Sequence, residues 1–96
     1  MTKKYADPVA EIEYCLRVGG SAHGEVLRFM LEYPMPWSSS MLFWEGNKTG
    51  KLPYEQITIR GGLDKLKELG AVAVLGNGKY VVDYEVVHHA KETPEK

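Results

Sequence analysis

The 96-residue chain has little of what marks the more specialised classes of protein. It has one cysteine, Cys15, so no internal disulfide can form and nothing asks for an oxidising compartment. No apolar run approaches the ~20 residues that a membrane-spanning helix needs. Met1-Thr2-Lys3-Lys4-Tyr5 begins with charge but has no apolar stretch behind it, so it does not read as a secretory signal. A cytoplasmic protein without a membrane partner is expected. Charge of one sign is also lacking, since the formal net charge is −1. Duplex binding driven by counterion release then depends on a local basic surface.

Chemistry-bearing clusters are equally scarce. His23, His88, His89 and Cys15 are the only strong transition-metal ligands, and their spacing matches no zinc pattern. No metal and no cofactor are expected. Ser38, Ser39 and Ser40 are better explained as helix-capping residues than as nucleophiles. Gly76-Asn77-Gly78 is a hairpin turn and not a phosphate loop, because no helix follows it. The chain is therefore not expected to be an enzyme.

What is present suits one small globular domain, with 44% apolar and 26% charged residues. A core of this size is modest, so a dimer contact or bound partner would matter for stability. Residues 1–6 read as a loose arm, residues 7–87 as the single domain and residues 88–96 as a flexible tail.

Asp7-Pro8 opens a first helix, Asp7 as cap and Pro8 in the first helical position. Val9, Ile12 and Leu16 share its inner face, and Gly19-Gly20 ends it. Ser21 can cap a second helix running to about Tyr33. Its apolar stripe of Val26, Phe29, Met30 and Tyr33, widened by Leu27 and Leu31, marks it as central. Pro34 and Pro36 stop it. A short third helix is expected from Ser38, closed by Glu45-Gly46.

From Ile57 to Tyr84 the chain reads as a helix followed by a tight hairpin. Ile59, Leu63, Leu66 and Gly70 recur at helical spacing, with Gly70 as the left-handed stop. Ala71–Leu75 and Lys79–Tyr84 flank an Asn-Gly turn, the strongest short-range hairpin signal. Val86-Val87 are expected to extend the last strand. Gly61-Gly62 cost about 1 kcal/mol each inside a helix relative to alanine. Either a close backbone approach offsets that cost, or the helix begins at Gly61 with Ile57–Arg60 partly extended.

The run Gly62-Leu63-Asp64-Lys65-Leu66-Lys67-Glu68-Leu69-Gly70-Ala71-Val72, the glycine-containing turn and Lys79-Tyr80-Val81-Val82 resemble the C-terminal half of a winged helix-turn-helix domain. The resemblance extends from Ser21 to Tyr84. It implies a mainly α fold with a small β-hairpin, here with an extra N-terminal helix. It implies that the helix at 59–69 is the recognition helix and the hairpin the wing. Two segments could serve as the preceding helix: the one at 38–45, or a single turn started by Pro53.

The implied function is a small DNA-binding transcription regulator acting as a homodimer on duplex DNA. Arg60, Gly61 and Lys65 would approach the DNA from the helix and Asn77 and Lys79 from the wing, with Lys48 and Lys51 adding basic charge. Asp64 and Glu68 near the middle of the outer face oppose this, and Arg60–Asp64, Asp64–Lys67 and Lys65–Glu68 are spaced to pair. The alternative is a winged-helix protein-interaction module that does not bind DNA, such as an accessory subunit or adaptor. Near-neutral charge and the aromatics around Trp37 and Trp44 favour that alternative.

Overall fold

The computed structural model describes residues 7–92. Among them are five helices and one two-stranded antiparallel sheet. The helices are α1 (Pro8–Arg17), α2 (Ala22–Glu32), α3 (Ser39–Thr49), α4 (Gln56–Leu69) and α5 (Tyr84–Glu92), with β1 (Val72–Val74) and β2 (Tyr80–Val82) between α4 and α5. The arm at 1–6 lies outside the described residues.

Side-chain caps set the starts of the first three helices. Asp7 accepts from the Ala10 amide, Ser21 from Gly24 and Ser38 from Met41. Each satisfies an amide that has no partner within the helix. Val26, Leu27, Phe29 and Met30 of α2 meet Ile59, Leu63 and Leu66 of α4 in the core. Ile12 and Cys15 close it from α1. Gly62 allows the two central helices to approach, because a Cβ there would lie 3.2 Å from the His23 Cα. Close packing thus accounts for one of the paired glycines.

Three expected boundaries are corrected. The third helix does not close at Glu45-Gly46 but runs to Thr49, where Gly50 takes the left-handed conformation at φ 79°. Gly46 is instead a dimple: a Cβ there would come within 2.3 Å of the Leu52 Cβ. Leu52, fully buried, presses onto the α3 backbone and donates its amide to the Gly46 carbonyl at 3.0 Å. The α4 helix begins at Gln56, earlier than the expected 59–69, so Ile57–Arg60 are helical and not extended. Pro53 starts no helical turn, and α3 is the helix that precedes α4. Val86-Val87 do not extend β2. They lie in α5, whose first turn is held by Asp83 accepting from the Val86 and Val87 amides.

Val87 and Ala90 are buried, and α5 packs against α1. Residues 88–92 are therefore helical and not part of a loose tail, while 93–96 lie outside the described residues.

The hairpin pairs Val72 with Val82, Ala73 with Val81 and Val74 with Tyr80. Its turn has the Gly78 amide donating to Leu75 O and the Leu75 amide to Lys79 O. Gly78 alone in this turn has a positive φ, which makes it a type I turn with a glycine bulge. Trp37, in the α2–α3 connection, pairs with Tyr80 through two backbone hydrogen bonds of 2.9 and 2.7 Å. Its buried indole donates to the Tyr33 carbonyl and stands edge-on to Phe29. The hairpin is thereby fastened to the central helix at the rung next to its turn, where Tyr80 pairs with Val74.

Candidate nucleic-acid interface

Burial of Ile59, Gly62, Leu63, Leu66 and Leu69 fixes the rotation of α4 about its axis. Gln56, Ile57, Thr58, Arg60, Gly61, Asp64, Lys65, Lys67 and Glu68 are left exposed. The two halves of this face differ. From Gln56 to Leu63 there is no acid; Asp64 and Glu68 belong to the second half. The glutamine, threonine and arginine of the first half are all side chains able to hydrogen-bond base edges. Ile57 is 77% exposed, a high value for so apolar a side chain. Gly61 is open, and a Cβ there would meet nothing within 4 Å. Close packing inside the molecule accounts for Gly62 but not for Gly61.

The start of α4 differs from those of α1, α2 and α3. Its N-cap, Glu55, makes no side-chain cap hydrogen bond, and, as in α3, the first turn carries no acid. The backbone amides there and the positive end of the helix dipole suit an anion.

The sequence-predicted residues lie on four segments: α4, the hairpin turn, the last turn of α3 and the α3–α4 connection. Arg60, Gly61 and Lys65 share the exposed side of α4. Among the described residues no ion pair joins Arg60 to Asp64 or Asp64 to Lys67; those seen join Arg17 to Glu13, His23 to Glu11, Lys51 to Glu32 and His88 to Glu92. Asn77 and Lys79 belong to the hairpin turn, where Asn77 Oδ1 accepts the Lys79 amide at 3.1 Å and Lys79 is half-buried. Lys48 is exposed in the last turn of α3.

Lys51 is engaged elsewhere. Its Nζ donates to Glu32 Oε2 at 2.7 Å and to the Tyr33 hydroxyl at 3.0 Å, and it sits 5.1 Å from the Tyr33 ring centre. Those two hydrogen bonds, Glu32 first, raise its pKa. It braces the α3–α4 connection against the end of α2.

That connection is itself held. Asn47 Nδ2 donates to Phe43 O and to Tyr54 O at 2.9 and 3.0 Å, tying the turn back onto α3. The relative position of α3 and α4 is thus set by Leu52 in the Gly46 dimple and by Asn47 across the loop.

Gln56, Ile57 and Thr58 of the first half of the α4 face lie ahead of the helix expected at 59–69; the paired glycines point to a later start than the structure has. A group unread in the sequence lies behind α4, where α1 meets the start of α2. Glu11, Cys15 and His23 place a carboxylate oxygen, a thiol sulfur and an imidazole nitrogen within 4.8 Å of one another. Burial first, and the Glu11 carboxylate second, push the Cys15 thiol up to about 11.

Comparison with protein-family models, curated proteins and solved structures finds no match for this chain. No described helix is long and apolar enough to cross a membrane.

Proposed function

We propose that this chain is a winged helix-turn-helix protein that binds duplex DNA, with α4 as the recognition helix and the β1–β2 hairpin as the wing. The carrying observation is the acid-free, exposed first half of α4, Gln56 to Gly61, on a helix otherwise fixed into the core. Recognition helices of the helix-turn-helix type contact base edges mainly through their N-terminal residues. Asp64 and Glu68 then fall toward the far end of the helix. Further support comes from the order of elements: α2, the Trp37 rung, α3, α4 and the hairpin. The connection from Gly50 to Glu55 is longer than a turn of about three residues between such helices, but Leu52 and Asn47 hold it in place.

In this reading Arg60 and Gln56 face base edges, Gly61 lets the helix approach closely, and Lys65 and Lys79 meet phosphates. A homodimer would place two such helices on successive half-sites. The test is fluorescence anisotropy of a mixed-sequence duplex at two salt concentrations, with light scattering for the oligomeric state. Micromolar binding that weakens steeply with salt is expected. Absence of binding at low salt would remove the DNA reading.

A second reading is favoured by one observation. Trp44 is 71% exposed and stands beside an open apolar groove lined by Met35, Trp37 and Met41. Solvent-facing aromatic and methionine side chains of this kind are typical of protein contacts. If DNA is not bound, a protein-interaction module using this groove is the reading that replaces it.

A further inference from the structure

We propose that Glu11, Cys15 and His23 form a binding site for a zinc ion at the junction of α1 and α2. Glu11 and Cys15 lie one helical turn apart on the same side of α1, and Ser21 at the head of α2 brings His23 against them. The three ligand atoms, a carboxylate oxygen, a thiol sulfur and an imidazole nitrogen, lie within 4.8 Å of one another. This mixed donor set suits a borderline-soft ion such as Zn²⁺.

His23 Nε2 and Glu11 Oε2 are 3.0 Å apart, close to the separation of two ligands on one zinc. With zinc–ligand bonds of ~2.0–2.3 Å, tetrahedral edges run to about 3.3–3.7 Å. Cys15 then has to approach the other two by no more than about 1 Å, a rotamer-scale adjustment. The imidazole is already oriented: Ser21 Oγ lies 3.2 Å from Nδ1, while Nε2 is turned toward Glu11. Ligating histidines characteristically donate their second ring nitrogen to an oxygen in this way. Ser21 Oγ also accepts the Gly24 amide, so its position is set by the helix cap.

Cys15 is fully buried and the His23 side chain nearly so, while the Glu11 side chain is 30% exposed. Water can therefore reach the cluster from the Glu11 side and complete four-coordination, as at zinc sites with three protein ligands. Loading exchanges the His23–Glu11 hydrogen bond for two coordinate bonds. The Cys15 sulfur gives up its proton to solvent and binds as thiolate; Nε2 gives up to solvent the proton it donated to Glu11, and the neutral imidazole carries its one proton on Nδ1, donated to Ser21 Oγ. Every buried side-chain nitrogen and oxygen among the described residues has a hydrogen-bond partner in the metal-free arrangement, so none of them is left unsatisfied without the ion.

The test uses the whole reduced protein, stripped with a chelator and titrated with Co²⁺ and then Zn²⁺. One Co²⁺ per chain should produce a thiolate-to-cobalt charge-transfer absorption and strong visible bands of four-coordinate cobalt, both abolished by one equivalent of Zn²⁺. Cys15→Ser should lose the charge-transfer band, and Glu11→Gln should weaken binding at least about tenfold. Since position 15 is buried, circular dichroism has to show that Cys15→Ser is folded. If it is not, Glu11→Gln and the wild-type spectrum decide. A wild-type protein without the charge-transfer band, or a band unchanged in Glu11→Gln, would leave only a hydrogen-bonded His23–Glu11 pair beside a buried thiol and overturn the proposal.

Discussion

Gly62 and His23 touch backbone to backbone: a Cβ on Gly62 would lie 3.2 Å from the His23 Cα and 3.3 Å from its amide nitrogen. Gly61, one residue earlier, faces open space. Two adjacent glycines in one helix thus have opposite surroundings, and their substitution should separate packing from helix propensity.

Gly61→Ala should stabilise the fold by about 1 kcal/mol, because alanine is the better helix former and adds no clash. Gly62→Ala gains the same propensity but has to push α2 away from α4. It should come out at least about 1 kcal/mol less stable than Gly61→Ala. Urea titrations of both variants measure the gap, and equal stabilities would contradict the close approach of the two helices.

If α4 lies in the major groove, the stabilised Gly61→Ala variant should bind DNA more weakly than the wild type. Lys79→Ala should lower affinity and flatten its salt dependence by about one unit of slope, and Arg60→Ala should lower affinity and relax sequence preference. Asp64→Asn should raise affinity by removing a negative charge near phosphates. Lys51→Ala should leave it unchanged, since Lys51 is paired with Glu32. Anisotropy titrations of this set at two salt concentrations test the orientation. A Lys51 effect as large as that of Arg60 would mean that a different face is used.

Gly46→Ala should cost about 1–3 kcal/mol, because the new methyl group meets the buried Leu52 at the α3–α4 connection. Leu52→Ala should cost about 2–5 kcal/mol through the cavity it leaves. Thermal melts report both. A neutral Gly46→Ala would show that Leu52 does not press on the helix.

Alkaline pH should loosen the metal-free protein through Cys15. Its thiol is held protonated in the fold up to about pH 11, against an ordinary value of 9.0. The unfolded chain therefore ionises first as pH rises. The contribution is complete below about pH 9 and is lost as pH climbs to about 11, on the order of 2 kcal/mol in all. Melting temperatures at pH 8 and pH 10.5 in a chelator should differ more for the wild type than for Cys15→Ala. An identical pH response in the two would show that the thiol is not the source.

The caps were legible because they are local. Asp7, Ser21 and Ser38 are the right residue types directly before apolar helical runs, and each makes the expected hydrogen bond. Gly70 and the Asn77-Gly78 turn were legible for the same reason. Gly46 misled because a helix-interior glycine whose partner is Leu52 cannot be told from a terminal one without the tertiary contact. Ile57 and Thr58 misled because the cost of Gly61-Gly62 argued for a later helix start, and Val86 and Val87 because β-branched residues favour extended backbone, yet the Asp83 cap holds them in a helix. The meeting of Glu11, Cys15 and His23 was invisible to spacing, since it exists only once α1 lies against α2.

The pairing of Trp37 with Tyr80 bears on the order in which the chain assembles. The hairpin can close by itself within microseconds, as short turns do. Its fastening to Trp37 closes a loop that contains α3, α4 and β1, and that entropy has to be spent before the rung forms. The Tyr80 amide, bonded to the Trp37 carbonyl, should therefore become protected from hydrogen exchange later in refolding than the amides inside α2. Pulse-labelling during refolding would time the two. The hairpin is thus made locally, but its direction is set only after both helices that precede it have docked.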